Sequence, residues 1–170
     1  SLSSIGTQCF WECFKLESIV MPNSVTSLGC GVLGYCASLE KAVLPNSISS
    51  IPRQTFTGCK SLKSIVIPDS VSVVQPWAFD NCAALTSINI PDNSAVQTEA
   101  FEGCTKLEEI AASHGMQVAD YFRNSHLKKL HEEKIKPRVI VLLCYGVLLK
   151  EENKMRELQM NKKQKLNDAG

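Results

Sequence analysis

Apolar residues return along this chain at a fixed interval, and cysteine marks the interval most clearly. Cys13, Cys36, Cys59 and Cys82 lie 23 residues apart, and Cys104 follows after 22. A leucine stands three residues after each of these cysteines, and an aromatic or leucine side chain stands three residues before each. A fixed period of this length indicates a repeat protein in which each unit stacks on the next.

Each repeat contains an alternating segment, L-x-x-I-x-I, that places apolar side chains on one face and variable ones on the other. Such alternation predicts a short strand. Proline ends four of these segments, and the Asn-Ser or Asp-Ser that follows favours a turn. A second apolar pair later in the unit predicts a return segment on the opposite wall. The pattern therefore predicts a solenoid of about five coils with short parallel strands.

The phased leucines, the strand-ending proline and the A-F-x-G-C segment together resemble the BspA-type leucine-rich repeats. The resemblance runs from Leu2 to Ala112 and implies a leucine-rich-repeat solenoid, with an α/β fold once the helical tail is included. Members of this class bind partners that range from host matrix proteins to intracellular proteins. Two departures are visible: Val32 and Leu33 replace A-F in the second coil, and the last coil is one residue short.

The period is lost after Ser113, where a helical spacing of Val118, Tyr121 and Phe122 begins. This spacing predicts an amphipathic helix, with Ser113 as its N-cap, that covers the apolar end of the last coil. We therefore divide the chain into a solenoid, residues 1–113, and a helical cap with a charged tail, residues 114–170. Because Ser1 falls inside a turn and no polar cap precedes the first coil, we expect the solenoid either to be the C-terminal part of a longer array or to have its first coil covered by a partner.

The tail has the more basic composition and one apolar run. Residues 1–113 carry six basic and ten acidic side chains, whereas residues 114–170 carry twelve and seven. The run that begins at Val139 and ends at Leu149 is shorter than the roughly 20 residues that span a bilayer. It is compatible with a buried helix or a strand, and we expect it to dock on protein.

The phased cysteines are expected to form a buried row of thiols. An odd row of five cannot pair throughout as disulfides, and Cys9 with Cys13 or Cys30 with Cys36 lacks the matching second pair of a zinc site. Disulfides and metal remain the alternatives. Reduced thiols favour an intracellular setting over the cell surface.

The sequence contains none of the patterns that carry catalysis or bind a cofactor. It has no Gly-rich phosphate loop, H-E-x-x-H or nucleophile elbow. The three histidines, His114, His126 and His131, all lie in the tail, and the last two are five residues apart, which separates them on a helix. We therefore expect a non-catalytic protein without a metal or cofactor.

The outward side of the strands is the candidate binding face, because solenoids commonly bind partners on such surfaces. Valine is also simply a good strand residue, so the pattern leaves this assignment open. The expected function is protein interaction or scaffolding, through this face or through the tail; the alternative is a cell-surface recognition or adhesion module for extracellular protein or glycan. The candidate residues are Ser18, Val20, Lys41, Val43, Ser64, Val66, Ser87 and Asn89, followed in the last coil by Glu109 and Ala111.

Overall fold

The computed structural model describes residues 2–123. Ser1 and residues 124–170 lie outside this part, and with them the predictions made for His126, for His131 and for the apolar run from Val139 to Leu149. The elements in chain order are β1 (Ser4–Ile5), β2 (Ser18–Val20), β3 (Ser27–Leu28), β4 (Lys41–Val43), β5 (Ser50–Ile51), β6 (Ser64–Val66), β7 (Val73–Val74), β8 (Ser87–Asn89), β9 (Ala95–Val96), α1 (Thr105–Ala112) and α2 (Val118–Tyr121).

The strands form the two walls of a flattened solenoid. We call β2, β4, β6 and β8 the front wall, and β1, β3, β5, β7 and β9 the return wall. Every strand pairing among the described residues is parallel, and the register joins residues 23 apart in β2–β4, β6–β8 and β5–β7. Between β7 and β9 the interval is 22, which matches the residue missing from the last coil. The predicted parallel solenoid is therefore confirmed.

The core lies between the two walls and repeats from coil to coil. Phe79 is fully buried and stacks on Phe56 on one side, with ring centroids 5.2 Å apart, and on Phe101 on the other, at 5.4 Å. The leucines three residues after the cysteines are also fully buried from the second coil onward. Each coil thus completes the burial of its neighbour, as expected where one coil alone cannot form a core.

A sharp corner precedes each cysteine, and its backbone is left-handed. Tyr35, Gly58, Asn81 and Gly103 have φ angles of 58°, 69°, 56° and 68° there. The Tyr35 ring covers Gly58, where a Cβ would lie 2.7 Å from the ring, and the Asn81 side chain covers Gly103, where a Cβ would lie 2.6 Å from Oδ1. Side chain and bare backbone therefore alternate from Tyr35 to Gly103, and each of these two side chains packs over a glycine of the next coil. Glu12, at the same position of the first coil with φ 57°, is followed by Tyr35 and lies outside this alternation.

The strand expected in the last coil is a helix, so the front wall has four strands within residues 2–123. Helix α1 contains Lys106, Leu107 and two glutamates, and it ends in two alanines without the proline that terminates four of the earlier strand segments. These residues have high helix propensity, and none is β-branched except Thr105 and Ile110. Glu109 and Ala111 consequently belong to α1 and not to the strand face.

Ser113 was predicted to cap the N-terminus of a helix that follows it, but it caps the C-terminus of α1, which precedes it. It is the C-cap of α1, with φ −60° and ψ −18°, whereas Gln117 precedes the first residue of α2. The prediction placed the start of the helix where the cysteine and leucine phase ends. Helix α1 in fact begins eight residues before Ser113, at Thr105, while that phase still holds.

No helix among the described residues is long and apolar enough to span a membrane.

The segment after α2 returns to the last coil and packs on it. Tyr121 and Phe122 are buried in the common core, as the helical spacing predicted. The N–H of Ile90 donates to the carbonyl of Phe122. The Arg123 guanidinium donates through Nη1 to three carbonyls of the turn after β8, those of Pro91, Asp92 and Ser94, at 3.4, 3.0 and 3.1 Å. These contacts, shared by the two hydrogens of one nitrogen, hold the end of the described chain against the solenoid.

Candidate functional site

Three valines form an exposed apolar column on the front wall. Val20 and Val43 are register partners in β2 and β4, Val66 holds the same repeat position in β6, and the three side chains remain 72%, 40% and 54% exposed. Their strand neighbours Ala42 and Ile65 point into the core and are buried. Paired strands are about 4.8 Å apart, so the methyl groups of Val20 and Val43 lie side by side, and Val66 extends the column at the same position of the next coil. The sequence prediction of exposure is confirmed for these three positions.

The polar column beside the valines is exposed at one end and buried at the other. Ser18 and Lys41 are exposed, Ser64 is half-buried and Ser87 is fully buried. The expectation that Ser87 is exposed is therefore wrong. Ser87 lies in the last strand of the wall, and the chain beyond β8 returns beside that strand through the bridge between Ile90 and Arg123.

Asn89 stands in the valine column, but its side-chain amide is hydrogen-bonded to the backbone of the preceding coil. Its Nδ2 donates to the carbonyl of Ile67 at 3.1 Å, and its Oδ1 accepts from the N–H of Ile67 at 2.8 Å. The amide thus satisfies both backbone groups of one residue, which is a structural role. The exposed column therefore ends at Val66.

One ion pair flanks the valine column. Lys63, just before β6, lies 3.2 Å from the carboxylate of Glu40, just before β4. Both side chains are more than half exposed, so water screens the pair and it contributes little to stability. It does place one charge of each sign, together with Lys41, beside the apolar strip, and these charges give the strip a polar rim.

The predicted row of buried thiols is confirmed for four of its five members. Each thiol of Cys36, Cys59, Cys82 and Cys104 donates to a carbonyl of the coil before it, at 3.0 to 3.2 Å. Cys13 is exposed, because no earlier coil within the described residues covers it. The buried thiols act as small apolar side chains that also satisfy a carbonyl.

The buried thiols should make the fold sensitive to alkali. Burial raises the pKa of Cys36 to about 11 and that of Cys59 to about 12, from an ordinary value of 9.0. The folded chain therefore keeps protons that the unfolded chain loses above pH 9.0, so the free energy of unfolding should fall as pH rises through this interval. Urea unfolding measured at several pH values should show a shallower fall for Cys59→Ala than for the unsubstituted chain; parallel curves would contradict this.

A second surface feature escaped the sequence analysis. A shallow cavity opens at the corner of the solenoid, and it is lined by Arg53, Gln54, Trp77, Asp80 and Glu102. Gln54 and Trp77 share one repeat position, and Asp80 and Glu102 share another, but no single residue type recurs at the first, so a search for recurring residues passes over the group. The one available signal was the pair of large side chains, Arg53 and Trp77, placed 24 residues apart and hence in adjacent coils.

Stacked parallel coils with phased leucines define a leucine-rich-repeat solenoid. The family described as "BspA type Leucine rich repeat region" matches in six copies, over residues 1–108 and 32–136. The chain belongs to this family, as the phased leucines and the A-F-x-G-C segment indicated. Among curated proteins, none matches significantly.

Three solved structures are similar in fold to this chain. A leucine-rich cell surface protein from Faecalibacterium prausnitzii is 36% identical with a TM-score of 0.61, over 62% of this chain and 28% of its own. The Treponema pallidum (T. pallidum) leucine-rich repeat protein is 27% identical with a TM-score of 0.59, over 62% and 50%. A Bacteroides ovatus leucine-rich repeat protein is 34% identical with a TM-score of 0.54, over 56% and 25%. The chain thus spans half or less of each of these proteins.

Proposed function

We propose that this chain is a non-catalytic interaction module that binds a protein partner on the front wall, at β2, β4 and β6. The observation that carries the proposal is the exposed column of Val20, Val43 and Val66. A sheet held by stacked coils presents these side chains with little backbone freedom left to lose, which lowers the cost of binding. An apolar strip with a polar rim also has the layout of protein interfaces.

The family supports this class of function. Leucine-rich-repeat proteins commonly serve protein binding or surface recognition, and they are generally non-catalytic. The face itself offers methyl groups, one lysine and serine hydroxyls, which suit a protein surface. We therefore assign the front wall to binding and propose no reaction for it.

Two charges placed in the valine column should abolish binding without unfolding the chain. The double substitution Val43→Glu with Val66→Glu puts a carboxylate on each of two adjacent coils at exposed positions. A partner that buries the column would have to desolvate both charges, so affinity should fall more than tenfold. Calorimetric titration with the purified partner measures the affinity, and circular dichroism measures the fold.

The matched control carries the same two charges beside the return wall, at the residues that directly precede β5 and β7. Ser49→Glu with Ser72→Glu also alters exposed residues 23 positions apart, and it should leave affinity unchanged. The partner itself is found with a photo-crosslinking amino acid at position 66, using the same probe at position 72 as the reference. Undiminished affinity in the valine double variant would overturn the proposal.

The tail is a separate part of the proposal. We propose that residues 114–170 form a cap and a docking segment, with the run from Val139 to Leu149 as its contact. Its apolar composition supports this. A photo-crosslinking amino acid at position 142 of the whole chain tests it: adducts with a second protein are expected, and their absence would remove the tail from the proposal.

A second candidate function is recognition at the cell surface. It is favoured by the similarity to the F. prausnitzii structure, which is described as a cell surface protein and is 36% identical. Labelling intact cells of the source organism with a membrane-impermeant amine reagent distinguishes the two candidates. The chain should be labelled if it acts at the surface and protected if it acts inside the cell.

A further inference from the structure

The corner cavity lies away from the front wall and has a different chemistry. Its volume is about 310 Å³, and three successive coils contribute to it. None of its lining residues belongs to β2, β4, β6 or β8. The cavity combines one aromatic ring, one cation, two carboxylates and one amide, and so differs from the methyl strip of the valine column.

The cation in this cavity is held in place with its hydrogen-bond donors unused. The guanidinium carbon of Arg53 lies 4.1 Å from the ring centroid of Trp77, which is a cation–π contact. Among residues 2–123, no side chain or carbonyl accepts a hydrogen bond from this guanidinium. A guanidinium has five N–H donors. The stacking therefore positions donors that a ligand can use.

The two carboxylates are oriented by their neighbours and keep acceptor capacity. Asp80 accepts from the Thr57 hydroxyl at Oδ2 and from the Asn81 amide at Oδ1, both at 2.8 Å. Glu102 accepts from the Trp77 indole N–H at Oε2, at 3.2 Å. A carboxylate has about four acceptor positions. Each acid is thus fixed by its present bonds and can accept at least one more.

The mixture of charges limits the ligand that fits. A simple anion is attracted by Arg53 but repelled by Asp80 and Glu102, and a simple cation meets the reverse. A hydroxyl group both donates and accepts, so neighbouring hydroxyls on one neutral molecule match the carboxylates and the guanidinium together. The Gln54 amide, which also donates and accepts, suits the same ligand.

From this arrangement we propose that the corner cavity binds a neutral saccharide. Saccharide hydroxyls donate to the carboxylates of Asp80 and Glu102 and accept from the guanidinium of Arg53. This binding site is distinct from the proposed protein-binding face, and failure of one proposal would leave the other unaffected.

The fluorescence of Trp77, which lines the cavity, can report saccharide binding. The chain has two tryptophans, so Trp11→Phe leaves Trp77 as the sole indole of the whole chain. Cellotetraose, chitotetraose and mannotetraose, titrated to roughly 10 mM, should include at least one that changes the fluorescence saturably. Calorimetry on the unsubstituted chain repeats the titration without relying on the Trp11→Phe variant.

A conservative pair of variants locates the site. Glu102→Gln keeps an acceptor for the Trp77 indole but removes the charge, and it should weaken saccharide binding about tenfold. Glu108→Gln removes an exposed charge on α1, outside the cavity, and should leave binding unchanged. Saturable binding of one tetrasaccharide with this difference between the variants supports the proposal.

Three results would overturn it. The first is that none of the three tetrasaccharides binds saturably. The second is that sialyllactose or tetralysine binds more tightly than they do, since the cavity would then select a charged ligand, such as a peptide segment. The third is equal weakening by Glu102→Gln and Glu108→Gln, which would place the binding elsewhere on the chain.

Discussion

Replacing Phe79 by alanine is expected to lower the free energy of unfolding by about 3–5 kcal/mol. Phe79 is fully buried and is the middle ring of a stack of three. Its removal leaves a cavity that the rings of Phe56 and Phe101 cannot fill, since each is fixed by its own coil. Urea unfolding followed by circular dichroism measures the loss.

Phe14 provides the matched control for Phe79. It is the same residue type in the first coil, but it is 55% exposed. Phe14→Ala should change the free energy of unfolding by less than about 0.5 kcal/mol. Similar losses for the two variants would show that the phenylalanine stack contributes nothing special to stability. Hydrogen exchange should in addition locate the faster opening of Phe79→Ala in the coils around β7.

A methyl group at Gly29 should be nearly as damaging, for the opposite reason. The Cβ of an alanine there would lie within 2.6 Å of the Thr7 Cα and closer still to the Thr7 nitrogen, both backbone atoms of the preceding coil. The backbone of one of the two coils must move, so Gly29→Ala should lower the free energy of unfolding by about 3 kcal/mol. The midpoint of thermal unfolding measures this.

Gly6 occupies the same repeat position one coil earlier and isolates the effect of crowding. No heavy atom would lie within 4 Å of an alanine Cβ at Gly6. Gly6→Ala should therefore leave stability unchanged or raise it by up to about 1 kcal/mol, because alanine restricts the unfolded chain. Equal destabilisation by the two alanines would mean that intrinsic backbone preference, and not the contact with Thr7, decides the outcome.

The sequence predicted what recurs in every coil. Cys59 and Cys82 are buried, and Val43 and Val66 are exposed, because each inner coil surrounds a given position with the same neighbours. The register of the strands follows from the same regularity. The residue missing from the last coil accounts for the shorter interval of 22 residues between β7 and β9. For the inner coils, the position of a residue in the repeat is therefore enough to predict whether its side chain is buried or exposed.

The predictions failed where a residue's neighbours change. Ser87 and Asn89 stand in the last strand of the front wall, next to a segment that is not a repeat, and neither has the exposed, unoccupied side chain that its position predicted. Glu109 was assigned to a strand by phase alone, although the segment around it favours a helix. The cavity at Trp77 was missed because it depends on unlike side chains from three coils.

The alternation at the left-handed corner sets a rule for how this array can grow. Tyr35 requires a bare Cα on the next coil, which Gly58 supplies, and Asn81 requires the same of Gly103. If the coil of Tyr35 were duplicated alone, one tyrosine ring would meet the backbone of another tyrosine in place of glycine. Duplication of that coil together with the coil of Gly58 would place a glycine after each tyrosine and so preserve this contact in both copies. At this corner, the unit of gene duplication that conserves the contact between Tyr35 and Gly58 is two repeats long.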